Sequence, residues 1–157
     1  MASESALTPG HLHEEHTGEL RIRLWAPSLA GLFEEAARAL GEAMGGGSRR
    51  EPPDDNDNDE PEAQANASPS VESVSLEAHD REALLVDWLN EIIFRAETGR
   101  KIFTEARIKR IDDRSLAADI TPRPAPLGRT FVKAATFHGL HIDKVPGGFS
   151  ATVLFDI

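Results

Sequence analysis

Residues 80–99, DREALLVDWLNEIIFRAETG, decide the fold because they carry the densest run of large apolar side chains. These side chains recur every three or four positions, the spacing that places them on one broad face of a helix. The face consists of Leu84, Leu85, Trp88, Leu89, Ile92, Ile93 and Ala96. Asp80 is a suitable N-cap and Gly99 tolerates a left-handed helix end. Glu91 and Arg95 can pair on the polar side. A mostly buried helix is predicted.

Composition limits the class of protein. With 157 residues, 39% of them hydrophobic, and one compositional break, the chain has the size of a single domain. It has no cysteine and no apolar run near the ~20 residues that a membrane span requires. We therefore expect a cytoplasmic protein with no membrane partner. The formal net charge of -10 disfavours direct binding of bare nucleic acid through a basic face.

Two regular elements are predicted in the first part of the chain. Alternating apolar residues indicate a half-buried strand over residues 16–25, with Glu19 at its entry. Ser28 can cap the helix that follows. The apolar face of this helix consists of Leu29, Leu32, Phe33, Ala36, Ala37, Leu40 and Met44.

The beginning of the chain lacks hydrophobic periodicity. Residues 1–12 are predicted to form a flexible tail ahead of a single domain over residues 13–157. The metal-ligand types in and after the tail are His11, His13, Glu14, Glu15 and His16. Closely spaced histidines in a flexible end are more often solvated than bound to a transition metal, so no metal is expected there.

A second irregular stretch interrupts the domain at about residues 45–70. It is rich in acids and prolines and has no large apolar side chain, so it is predicted to be a disordered insertion. A calcium loop is the alternative. The EF-hand spacing of glycine and terminal glutamate is missing, and disorder is therefore favoured.

The remaining elements are strands. They are predicted at residues 71–78, 102–111, 115–120, 130–142 and 149–157, with turns at Asp112-Asp113 and Pro146-Gly147-Gly148. The order is strand, helix, strand, helix and four strands. It predicts an α+β fold in which two helices pack on a mostly antiparallel β-sheet.

The last predicted strand ends in an unusual concentration of oxygen-bearing groups. The Asp156 side chain is followed by the carboxylate of Ile157. If the last two strands form a hairpin, Lys133 returns near Asp156 and its ammonium group can partly balance the charge. Spacing alone leaves a metal or catalytic role open beside a merely solvated strand end.

Four segments together resemble the archease family: HTGELRIRLWAPSLAGLFEEAARAL, LLVDWLNEIIF, VKAATFHGL and TVLFDI, in that order. The resemblance implies an archease-like fold and a role as accessory protein. Archeases promote the guanylylation and turnover of an RtcB-type RNA ligase in tRNA splicing or RNA repair. The implied partner is therefore this ligase, which would itself hold the RNA and the GTP.

The resemblance also implies a divalent metal site, with calcium the ion usually assigned. Its ligands fall on Glu19, Asp156 and Ile157, and the family usually has aspartate where this chain has Glu19. Lys133 and His138 lie in the VKAATFHGL segment and are implied site neighbours. His138 is equally compatible with a packed strand position.

Two alternatives to a non-enzymatic activator remain. One is a small metal-dependent hydrolase that uses Glu19 and Asp156 around an ion, with Lys133 or His138 as acid or base. The other is a protein-binding adaptor without metal. The chain has no cysteine nucleophile, no phosphate-binding glycine loop and no compact Ser/His/Asp signature, so the activator is favoured.

Deleting residues 46–68 should leave the fold and the activity nearly intact. The segment contributes no core residue, and the entropy of loop closure changes only slowly with loop length. Thermal unfolding of the deleted and full-length chains provides the measurement. A large drop in the melting temperature would show that the segment packs on the domain.

Overall fold

The computed structural model describes residues 6–45, 70–126 and 132–157. Within them the chain forms β1 Gly10–His16, β2 Glu19–Ala26, α1 Leu29–Met44, β3 Glu72–Glu77, α2 Arg81–Gly99, β4 Lys101–Ile111, β5 Ser115–Pro124, β6 Ala134–Thr136, β7 Ile142–Val145 and β8 Gly148–Asp156. The predicted α+β class is confirmed. The predicted disordered insertion falls on residues 46–69 and thus lies outside the described residues, apart from its two ends.

The strands divide between two antiparallel sheets, where the sequence predicted one. The larger sheet has the order β1-β2-β8-β6, and β7 also pairs with β8. The smaller sheet has the order β3-β5-β4. Helix α1 explains the division, because its buried residues occupy most of its circumference and it contacts strands of both sheets. A helix that is apolar nearly all round needs a partner on each side.

Helix α2 supplies the largest side chain of the core. Trp88 is fully buried, and its Nε1 donates a hydrogen bond to the carbonyl oxygen of Phe33 in α1 at 2.9 Å. All seven residues of the predicted apolar face are buried, and Val86 joins them. The predicted pair on the polar side is present, with Arg95 Nε 3.2 Å from Glu91 Oε1. Two helices and two sheets therefore share one hydrophobic core around this tryptophan.

The ends of both helices follow the predicted capping with one exception. Asp80 accepts a hydrogen bond from the amide of Ala83, and Ser28 accepts one from Gly31. Gly99 is the last helical residue of α2. The left-handed residue is Arg100, with φ of 51°, so the prediction for Gly99 is wrong by one position.

Helix α1 approaches β4 closely. Gly41 is buried, and a Cβ at this position would collide with the carbonyl oxygen of Phe103. Strand β4 has one register shift at this contact, between Phe103 and Glu105, and a second between Ile108 and Arg110. The carboxylate of Glu34 accepts the amide of Ile108 at 2.9 Å, which satisfies a backbone group beside the second irregularity.

Two predicted segment boundaries require correction. Strand β1 begins at Gly10, so the predicted flexible tail of residues 1–12 extends too far. The predicted strand over residues 130–142 is described from residue 132 and contains only β6, with β7 starting at its last residue, because the chain turns at Gly139, where φ is 64°. A positive φ of this kind is readily adopted only by glycine.

The two predicted tight turns are confirmed. Asp112 accepts hydrogen bonds from the amide of Arg114 and from the hydroxyl and amide of Ser115, and these bonds lower the pKa of its carboxyl group below the usual value. Gly147, with φ of 82°, lies in the turn between β7 and β8.

The two tryptophans allow a matched test of the core. Trp88→Ala should lower the free energy of unfolding by about 3–5 kcal/mol, because it leaves a large cavity between the helices. Trp25 is only half-buried on the larger sheet, and Trp25→Ala should cost about 1 kcal/mol or less. Urea unfolding followed by far-UV circular dichroism measures both losses. Equal losses would contradict a core centred on Trp88.

Candidate functional site

The predicted ligands Glu19 and Asp156 lie directly opposite each other in the larger sheet. The register of β2 and β8 pairs Glu19 with Asp156, and the same row continues to His16 on β1 and Ala134 on β6. Side chains of directly opposed residues point to the same face of an antiparallel sheet. Their neighbours Leu20 and Phe155 are buried against the core, so both carboxylates lie on the exposed outer face.

Backbone hydrogen bonds hold this row in place. Strand β2 follows a two-residue turn in which Gly18 has φ of 77°. The amide of Ile157 donates to the carbonyl oxygen of Gly18 at 3.2 Å, and the amide of Lys133 donates to that of Asp156 at 2.8 Å. The ladder thus extends beyond Asp156, so the main chain of Ile157 is held beside the two acids.

Glu19 and Asp156 together form the acidic row, and the electrostatics of this row favour a bound cation. Like charges directly opposite each other destabilise a sheet. Among the described residues, neither Glu19 nor Asp156 forms a salt bridge. Two side-chain carboxylates and the adjacent main-chain oxygen of Ile157 are hard oxygen donors of the kind that calcium takes. The arrangement can therefore bind a hard divalent cation at the surface.

The structure brings only part of the predicted neighbourhood together. Lys133 adjoins Asp156 through its backbone, but its ammonium group forms no salt bridge with either acid in the described part of the chain. His138 is exposed in a turn beyond β6, and β6 runs away from Asp156. The packed-strand interpretation of His138 is therefore wrong, and this histidine lies outside the row.

Asn90 is a positioning residue that the sequence did not reveal. Its Oδ1 accepts the amide of Ala135 at 2.8 Å, and its Nδ2 donates to the carbonyl oxygen of Ala135 at 3.3 Å. This side chain thus takes the place of a neighbouring strand at the outer edge of β6, next to Asp156. The available signal in the sequence was a polar amide beside the large apolar side chains of α2.

A groove lies on the same outer face as the acidic row. Its volume is about 540 Å³, and its lining includes Arg21, Arg23, Trp25, His141, Asp143 and Thr152. Glu14 lies 3.6 Å from both Arg21 Nη1 and Arg23 Nε, so one carboxylate serves two guanidinium groups. An acidic end and a basic, aromatic groove therefore share one exposed face of the sheet.

A second group of ligand-type side chains lies between β1 and α1. Donor atoms of His11, His13 and Glu42 are all within 4.8 Å of one another. Burial disfavours the charged form of the His11 ring, but hydrogen bonds to Glu35 and Glu42 outweigh this effect and raise the pKa of His11 above its usual value. This possible metal cluster contradicts the prediction of freely solvated histidines.

The chain belongs to the archease family. The model of the Archease protein family (MTH1598/TM1083) matches residues 12–157. Proteins named archease from Methanosarcina mazei and Methanopyrus kandleri are similar to it, with 27% identity over 152 residues and 29% over 153. These alignments cover 91% of this chain in both cases, and 92% and 96% of the two relatives.

A crystal structure from Thermotoga maritima, described as an archease and possible chaperone, has a similar fold. The TM-score is 0.60 at 20% identity, with 92% of this chain and 94% of the other covered. At this identity the match supports the fold. Within the described residues, no helix is both long enough and apolar enough to cross a membrane.

Replacing Asn90 should loosen β6 while preserving the core. Asn90→Ala leaves the amide and carbonyl groups of Ala135 without their partner, which should cost about 1–3 kcal/mol of stability. Faster hydrogen exchange at the Ala135 amide, measured by NMR, reports the local effect. Asp87→Ala, at an exposed position of the same helix, is the matched control. Unchanged exchange in Asn90→Ala would show that β6 is held by β8 alone.

Proposed function

We propose that this chain is an accessory protein that activates an RtcB-type RNA ligase. In this role it promotes the guanylylation and turnover of the ligase during tRNA splicing or RNA repair in the cytoplasm. The ligase supplies the GTP and RNA sites, and the accessory protein does not itself catalyse the reaction. Membership of the archease family supports the proposal, and the observation that carries it is the outward-facing pair of Glu19 and Asp156.

In this proposal the pair binds calcium together with the main-chain oxygen of Ile157. The donor set fits the ion, because the three groups offer hard oxygens and at least two negative charges next to one another. Glu19 has one methylene more than aspartate. Its carboxylate can still reach an ion beside Asp156, since its exposed side chain is free to fold back over the strand end. When bound, the ion neutralises the acidic row and offers its remaining coordination positions outward.

The outer face of the larger sheet is the proposed contact with the ligase. Its inner face packs on the core, so only the outer side is open to a partner. Calcium takes about six to eight oxygen ligands, whereas two side-chain carboxylates and one main-chain oxygen supply about five of them at most. Partner oxygens can complete the shell, while the groove with Arg21 and Arg23 contributes positive charge to the same surface.

The geometry gives less support to the two alternatives. A metal-dependent hydrolase needs an acid or base within hydrogen-bond reach of the reacting atoms. The Lys133 ammonium group forms no salt bridge with the described acids, and His138 is directed away from them by the course of β6. A metal-free adaptor leaves the opposed carboxylates of Glu19 and Asp156 without a counter-charge.

Four changes at the acidic row test the proposal. Asp156→Asn and Glu19→Gln each remove one anionic oxygen donor and should weaken calcium binding by at least about tenfold, or about 1.4 kcal/mol. One residue added after Ile157 should have a smaller effect in the same direction, and Glu19→Asp should be tolerated. Calcium titration calorimetry and ligase guanylylation with the purified partner are measured in parallel.

Asp87→Asn, an exposed acid on α2, serves as the control and should behave as wild type in both assays. Chelator should abolish ligase activation by the wild-type protein. This result would distinguish a metal-dependent activator from a metal-free adaptor. Turnover of phosphoesters by the purified chain alone would favour the hydrolase. An Asp156→Asn protein that binds calcium and activates the ligase normally would show that the site is assigned to the wrong residues.

A further inference from the structure

Two histidines of β1 face two glutamates of α1. His11 and His13 are two positions apart on the strand and therefore share a face, while Glu35 and Glu42 are seven apart on the helix and share a stripe. His11 Nδ1 lies 2.7 Å from Glu35 Oε1, and His11 Nε2 lies 2.5 Å from Glu42 Oε2. The ring centroids of the two histidines are 5.0 Å apart.

Glu35 is the informative member of this group. It is only 3% exposed, and the other buried residues of α1 are apolar or glycine. A carboxylate is costly to bury unless it is paired and hydrogen-bonded. Here the Glu35 carboxylate lies 2.7 Å from His11 Nδ1 and 3.4 Å from Arg38 Nη1, so it holds the imidazole ring with Nε2 facing Glu42. Metal-binding histidines characteristically have their second nitrogen held in this way by a carboxylate.

We propose that His11 Nε2, His13 Nε2 and the Glu42 carboxylate bind a divalent first-row transition ion of the zinc class, with Glu35 orienting His11. Two imidazoles and one carboxylate suit zinc and its neighbours better than calcium, which prefers oxygen ligands alone. The site is separate from the acidic row at Glu19 and Asp156, and it does not depend on the proposed function.

The required rearrangement is small. Zinc with ligands at roughly 2.0–2.2 Å places tetrahedral donor atoms roughly 3.3 Å apart. The donor atoms of His11, His13 and Glu42 now lie within 4.8 Å of one another, so side-chain rotations suffice. Glu42 has more freedom than His11, because its side chain is 30% exposed against 13% for His11.

Binding exchanges hydrogen bonds for metal bonds at low cost. The ion takes the place of the proton between His11 and Glu42, and that proton passes to solvent. His13 Nε2 now donates to the carbonyl oxygen of Ala39 at 3.0 Å; on binding it gives up this hydrogen bond and its proton to solvent, and Nδ1 takes up a proton so that the ring stays neutral. That oxygen lies inside α1 and keeps its helical hydrogen bond. Solvent can fill the fourth position beside Glu42, and the bound ion fastens edge strand β1 to α1.

Zinc titration of the full-length protein, free of any affinity tag and saturated with calcium, tests the site. Wild type should bind one equivalent, and cobalt in place of zinc should give the visible absorption of nitrogen and oxygen coordination. His13→Gln and Glu42→Gln should each weaken zinc binding by at least about tenfold. Glu35→Gln keeps all three ligands but should still weaken binding by about 10–100-fold.

His79→Gln and Glu97→Gln replace exposed residues of the same types and should bind zinc as wild type does. Circular dichroism identifies any variant that fails to fold. If Glu35→Gln does not fold, the zinc affinity of His13→Gln, a change at a less buried residue, decides whether the site exists. The proposal is overturned if folded wild type binds no zinc, if folded His13→Gln and Glu42→Gln both bind it normally, or if Asp156→Asn removes the zinc instead.

Discussion

The pairing of β2 with β8 is the constraint on which the larger sheet depends. Strand β8 is central, since β2, β6 and β7 all form hydrogen bonds with it. The strict alternation of the two strands sends Ile22, Val153 and Phe155 into the core and leaves Glu19 and Asp156 outside. A slip of one residue in this register would bury the acids and expose the core, so the same ladder defines both the fold and the candidate site.

Helix α1 imposes the second constraint, because it contacts both sheets and has almost no surface left for solvent. Two of its acids serve as acceptors for distant parts of the chain. Glu34 accepts the amide of Ile108 in the smaller sheet, and the buried Glu35 accepts His11 in the larger one. Each sheet is thus joined to the helix by a polar contact as well as by packing. Together these contacts select one docking geometry where apolar packing alone tolerates several.

Hydrophobic periodicity predicted the elements whose inner faces are apolar, including both helices and β2. It missed β1 because the inward side chains of that strand are His11 and His13, which meet carboxylates and a backbone carbonyl of α1 rather than the apolar core. It also could not divide the strands between two sheets, since that depends on how α1 is enclosed. The turn at Gly139 was hidden within an apolar-rich run.

The part of the candidate site that lies on the paired strands β2 and β8 could be predicted from the sequence. A resemblance placed its acids on Glu19 and Asp156, and the register sets them opposite each other. The surroundings were not predictable in the same way. Lys133 contributes its backbone amide rather than its charge, and the edge of β6 is completed by Asn90, which is distant in sequence. Only the three-dimensional pairing reveals which side chains replace a missing strand.

The position of β8 along the chain has a consequence for biogenesis. Its main partner β2 ends at Ala26, whereas β8 begins at Gly148, so nearly the whole chain must be synthesised before the larger sheet can close. Until then the edge of β2 that pairs with β8 stays open, and open strand edges favour aggregation. Pairings so distant in sequence also form slowly. A growing chain therefore carries α1, β2 and α2 through a vulnerable interval, and any product cut short before Gly148 lacks both the central strand and Asp156.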